Sequence, residues 1–217
     1  MCFSATSSFA TSGASMLIGV ANIWNINNKK QIYFALIPLW FSLHQFVEGM
    51  LWLSLTNQYS IHFQQTATYL FTLIGLIFWP IWIPFSVLKM EENLIRQKWI
   101  RMNLYFGILM SVFLLLQTLM NKVTAEITDH HMEYTFYYSY NWIEKLSVLY
   151  LVPTVVSPFF SSNRMVQMLG FLILGSFIIT KLFFPNYVFS VWCFFAALIS
   201  GFIFFITNVS KSKSILA

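Results

Sequence analysis

Charge is what this sequence has least of: 9% of its 217 residues are Asp, Glu, Lys or Arg, against 58% hydrophobic and 19% aromatic. Soluble domains carry about 25% charge, so an ordinary solvated surface is excluded and the chain reads as an integral membrane protein facing the lipid bilayer. Cysteine is scarce too. Two residues, Cys2 and Cys193, exclude a disulfide framework and leave one bridge or two thiols. A formal charge of +5 would suggest a nucleic-acid partner in a soluble chain, but here it is a topology signal and no nucleic acid is expected. No basic stretch precedes an apolar core with a small-residue cleavage pattern, so no cleavable signal peptide is expected. Cys2 has no apolar segment before it, which argues against a lipoprotein anchor. The last apolar segment contains no lysine, which excludes a retinal Schiff base there. No internal repeat of the inverted-repeat transporter kind is visible.

What is present is apolar length. Seven segments can be marked, at about 5–24, 31–55, 66–89, 99–120, 140–160, 165–184 and 187–207, each near the roughly 20 residues that cross a bilayer. The expected fold is all-α, a seven-transmembrane-helix bundle forming one domain over 1–217. Prolines inside segments (Pro38, Pro80, Pro84, Pro153, Pro158) predict kinks, with neighbouring helices satisfying the freed carbonyls. The one long connection, "NKVTAEITDHHMEYTFYYSY", is polar, then aromatic, and long enough to cap the bundle as a lid.

Basic residues set the expected orientation. Lys29, Lys30, Lys89, Arg96, Lys98, Arg101, Arg164, Lys211 and Lys213 fall on one side, and Lys122, Lys145 and Lys181 on the other. The positive-inside rule then puts the amino terminus outside and the carboxyl terminus in the cytoplasm of a cell (inner) membrane protein. With that topology all four histidines, both cysteines and most of the acids lie in or toward the outer half, facing the periplasm or exterior.

Two constellations carry candidate chemistry. In "LHQFVEGMLW", His44 and Glu48 are four residues apart and share a helix face. A charge at the centre of a span costs about 2.5–3.5 kcal/mol on insertion scales, so Glu48 is expected to face the bundle interior with a partner. In "TDHHMEY", adjacent His130 and His131 point in different directions, so one of them is expected to serve as a ligand. Cys2, at the start of a helix rich in small residues, adds a thiol that the helix dipole favours as thiolate, and Glu144 opens the fifth segment. Thiolate, imidazole and carboxylate together suit zinc, or copper where soft donors dominate.

The motifs "MCFSATSSF", "HQFVEGMLWL", "FWPIWIPFS", "DHH" and "SVWCFFAALIS" together resemble a bacterial multi-pass membrane family of unknown function whose members begin Met-Cys-Phe-Ser. The positions that carry the resemblance are Cys2, Phe3, Ser4, Glu48, Gly49, Trp52, His130, Trp192 and Cys193. It implies a shared fold and brings no activity or cofactor.

The expectation is therefore a transition-metal site, copper or zinc, near the outer face for sensing, storage or catalysis. Its ligands are drawn from Cys2, Glu48 and one of His130 or His131, with His44 and Glu144 behind them. The rival expectation is a proton-coupled transporter or small-molecule receptor, with Glu48 as the proton carrier and Trp52, Trp79, Trp82 and Trp192 lining an apolar pocket.

Overall fold

Five of the long helices begin at a serine or asparagine. In this computed structural model, which describes residues 4–26, 28–137 and 149–207, Ser4 accepts the Ser7 N–H at 3.2 Å and opens α1, Ala5–Asn25. Asn28 accepts the Lys30 N–H at the head of α2, Lys29–Thr56, and Ser60 opens α3, Ile61–Met90. Asn93 caps α4, Leu94–Met120, and Asn163 caps α6, Arg164–Phe183. Side-chain oxygens thus take up amide groups that a helix start leaves unpaired. The remaining helices are α5, Leu149–Phe159, and α7, Pro185–Thr207.

Five of these, α2, α3, α4, α6 and α7, are long and apolar enough to cross a membrane. α1 is diluted by its serines and threonines, and the stripe Ser8, Thr11, Ser12, Ser15, Gly19, Asn22 is buried while Leu17 and Trp24 are exposed. Polar inside and apolar outside is the arrangement lipid selects. The expected fifth segment, 140–160, falls partly outside the described residues; its described part is α5.

α1 and α2 run antiparallel in close contact. Ser12 donates to the Ser42 carbonyl at 2.8 Å, a Cβ on Gly19 would lie 2.5 Å from Leu39, and one on Gly49 would lie 2.8 Å from the Phe9 ring. Small residues permit this approach, and packing with interhelical hydrogen bonds is what associates helices in lipid, since the tails are as apolar as the helices.

The prolines act through the backbone. α3 loosens to a π-helix over Ile74–Phe78, ahead of Pro80, and α5 does the same over Val152–Val156, which contains Pro153. Side chains from other helices take carbonyls in and beside these segments: His44 that of Phe71 (3.1 Å), Tyr150 that of Gly75 (2.6 Å), Ser111 that of Ile77 (2.8 Å) and Asn103 that of Val152 (3.1 Å). Freed carbonyls inside a span are satisfied by neighbours, as a medium without water requires.

The long connection carries a hairpin. Strands β1, Val123–Thr128, and β2, His131–Phe136, form an antiparallel hairpin pairing Val123 with Phe136 and Thr128 with His131. Asp129 and His130 both have positive φ, 48° and 61°, the geometry of a tight two-residue turn. The alternation buries Met132 and Tyr134 against Leu51, Trp52, Phe71 and Cys193, so the hairpin sits on one end of α2, α3 and α7.

The opposite end carries the basic loops. Lys30 pairs with Glu92 at 3.0 Å, both exposed. Beside them Glu91 is buried and accepts four hydrogen bonds: the hydroxyl and amide of Ser162 (both 2.6 Å), the Asn93 amide (2.9 Å) and the Glu92 amide (3.1 Å). Arg96 reaches the carbonyls of Phe160 and Ser161. Burial pushes the Glu91 carboxyl up, but the hydrogen bonds outweigh it and hold the group below the usual carboxylate range. The α3–α4 and α5–α6 connections are thereby tied together.

Candidate functional site

Glu48 is wholly buried in α2. Gln45, Glu48 and Trp52, at spacings of three and four, lie along one face of that helix. Ser190 of α7 donates its hydroxyl to Glu48 Oε1. Glu48 Oε2 has no hydrogen-bond partner among the described residues, and the same holds for both amide atoms of Gln45, the Trp52 indole N–H and the Ser8 hydroxyl. The Gln45 amide approaches the Glu48 carboxyl without reaching hydrogen-bonding geometry. Ser8 belongs to α1, where the Phe9 contact at Gly49 sets it level with Glu48. Five buried polar atoms on the facing stretches of α1 and α2, unpaired by described protein groups, are uncommon, because each such atom costs about 1–3 kcal/mol.

Cys193 is a buried thiol one helical turn from Ser190, the residue that bonds Glu48. It also lines a cavity of about 50 Å³ walled by Phe41, Trp79, Tyr150, Leu169 and Trp192 among others. Trp79 and Trp192 therefore lie where a pocket was expected. Trp52 packs with the hairpin cluster, and Trp82 stacks on Phe78, centroids 5.1 Å apart; neither lines the cavity.

His44 shares the helix face of Glu48 but does different work. Its Nε2 must donate to the Phe71 carbonyl, which can only accept, and its Nδ1 accepts the Trp79 indole N–H at 3.4 Å. This is the neutral ring with both nitrogens engaged. His44 also stacks on Phe71 (4.1 Å), which stacks on Tyr134 of the hairpin (4.9 Å). The column links the middle of the bundle to its cap.

The other candidates are spread out. His130 is exposed at the hairpin turn. His131 donates from Nδ1 to the Asp129 carbonyl at 2.6 Å and lies flat on Tyr187, 4.4 Å between centroids. His62 is exposed in the first turn of α3. Cys2 and Glu144 lie outside the described residues, and so does any bridge between Cys2 and Cys193. Among the described residues no three of His, Cys, Asp and Glu come together as a metal-holding group. Gln45, Ser190 and Ser8, which complete the polar neighbourhood of Glu48, were not among the sequence candidates. Gln45 was findable by its spacing from Glu48; the two serines carried no signal beyond burial.

The chain belongs to a protein family whose description is "Family of unknown function (DUF6629)", which it matches over residues 1–216. It matches no curated protein and no solved structure.

Proposed function

We propose that this member of that family is a seven-pass membrane protein, amino terminus and hairpin outside and basic loops in the cytoplasm, whose function is binding and exchange of a proton or small solute at Glu48. The carrying observation is the wholly buried Glu48 carboxyl with one oxygen unpaired by described protein groups, beside an equally unpaired Gln45 amide. A carboxyl placed in a span against its insertion penalty, with no described cation within ion-pair distance, is the kind of residue that carries protons or coupled ions. The hairpin covers this site from one end, so exchange with that face requires Met132 and Tyr134 to lift from Trp52 and Cys193.

Vesicles of purified protein holding a pH-sensitive dye, under an imposed potential, test this reading. Proton movement should be protein-dependent and fall at least tenfold in Glu48→Gln. Equal traces for wild type, Glu48→Gln and empty vesicles would contradict it.

The transition-metal reading, copper or zinc, has one observation in its favour: the buried Cys193 thiol lies one helical turn from Ser190, which bonds Glu48, so a soft and a hard donor fall in the same part of the bundle. Cys2 and one hairpin histidine would complete it, while His44 offers no free nitrogen. Elemental analysis of detergent-purified wild type, Cys2→Ser and Glu48→Gln tests it. Near-stoichiometric metal lost in both variants would support it, and metal-free wild type after incubation with zinc or copper would end it.

A further inference from the structure

The groups around Glu48 specify more than a buried carboxyl. From three helices they present the Glu48 carboxyl oxygens and Gln45 carbonyl oxygen of α2, the Ser190 hydroxyl of α7, and the Ser8 hydroxyl of α1 at the same level. These are all hard oxygen donors. Such a set suits alkali or alkaline-earth cations, whereas copper and zinc sites draw on imidazole and thiolate. Within a span, charge decides the valence: one carboxylate neutralises one monovalent cation, and a divalent ion would leave a net charge in the apolar region. Size narrows it again. At Gly49 the two helices approach so closely that a Cβ would lie 2.8 Å from Phe9, and the 50 Å³ cavity is lined by Cys193 and not by Glu48 or Gln45. Helices packed this closely next to Glu48 favour a small bare ion over a larger one needing more ligands, or an organic solute.

We propose that Glu48, Gln45, Ser190 and Ser8 form a sodium site. The proposal rests on the reading of Glu48 as an exchange site and names the ion that site takes. Bound sodium ties α1, α2 and α7 together, and it supplies the Gln45 and Ser8 oxygens and the second Glu48 oxygen with the partner that no described protein group provides.

The test is thermal unfolding of the purified full chain in detergent, with sodium, potassium or choline chloride at equal ionic strength and fixed pH. Ligand linkage predicts a saturable, sodium-specific rise in midpoint of roughly 5–10 °C at a hundredfold excess over the dissociation constant. Glu48→Gln and Ser190→Ala, shown folded by circular dichroism and size exclusion, should lose the sodium-specific part. The wild-type comparison across salts needs no variant to fold. Equal midpoints in all three salts would overturn the sodium site and assign the unpaired oxygens to buried water. The vesicle assay is scored separately: proton movement lost in Glu48→Gln without any sodium effect would leave the exchange reading standing and remove only the ion.

Discussion

Glu48 and His44 sit one turn apart on the same helix, yet their surroundings separate their roles. The histidine is satisfied on both nitrogens by Phe71 and Trp79, and the glutamate, among the described residues, is satisfied on one oxygen. His44→Ala should therefore act on stability. It strands a carbonyl and an indole N–H, and about 1–3 kcal/mol per stranded group should lower the unfolding midpoint while the sodium-specific shift survives. Loss of that shift with unchanged stability would reverse the assignment. The inward direction of Glu48 was legible in the sequence because the insertion penalty leaves a span carboxyl few alternatives. The role of His44 was not, because its partner is a carbonyl beside a π-helix, a local irregularity that hydropathy does not report. Ser190 was equally invisible: serine is tolerated anywhere in a span.

At the level of elements, prolines and glycines do the shaping. Pro84 cannot donate an N–H to the Pro80 carbonyl, and that carbonyl points at Gly107 of α4, where a Cβ would lie only 2.0 Å away. Gly107→Ala must displace backbone, and overpacking of this kind costs about 1–3 kcal/mol. Gly175→Ala, with nothing within 4 Å of the new Cβ, is the matched control and should be near neutral in the same melt. The Glu91 knot makes a prediction in pH. Because hydrogen bonds hold its folded-state carboxyl below the ordinary range, its stabilisation is present above the unfolded value and lost as pH falls through the folded one. Glu91→Gln should lower stability by roughly 1–3 kcal/mol at neutral pH, and the gap to wild type should close in acid. A gap that widens in acid would show the sign to be wrong. The hairpin lies in the connection expected to cap the bundle, and its strands are the part that expectation lacked. Its alternation, Met132 and Tyr134 inward with Glu133 and Thr135 at the alternate positions, was there to be read, but it is short, and its burial depends on Trp52, Phe71 and Cys193 from three other helices.

On the scale of the whole molecule, apolar segments and basic loops were legible because lipid imposes both. Lys30 with Glu92 and Glu91 with Ser162 gather three basic connections at one end, and the hairpin closes the other. An epitope inserted between Asp129 and His130 should be reached by antibody on intact cells, and one at the carboxyl terminus only after permeabilisation; the reverse pattern would invert the proposed orientation. The site was legible only at its centre, since helices distant in sequence bring Ser8, Gln45 and Ser190 to Glu48. The most direct measurement is infrared spectroscopy of the purified protein in sodium-free buffer, comparing wild type with Glu48→Gln. A neutral buried carboxyl gives a carbonyl stretch distinct from carboxylate bands. The account predicts such a band in wild type, absent from Glu48→Gln and diminished when sodium is added. A Glu48 signal that is carboxylate under every condition would mean a permanent ion pair, and would contradict the central claim that this carboxyl is open to exchange.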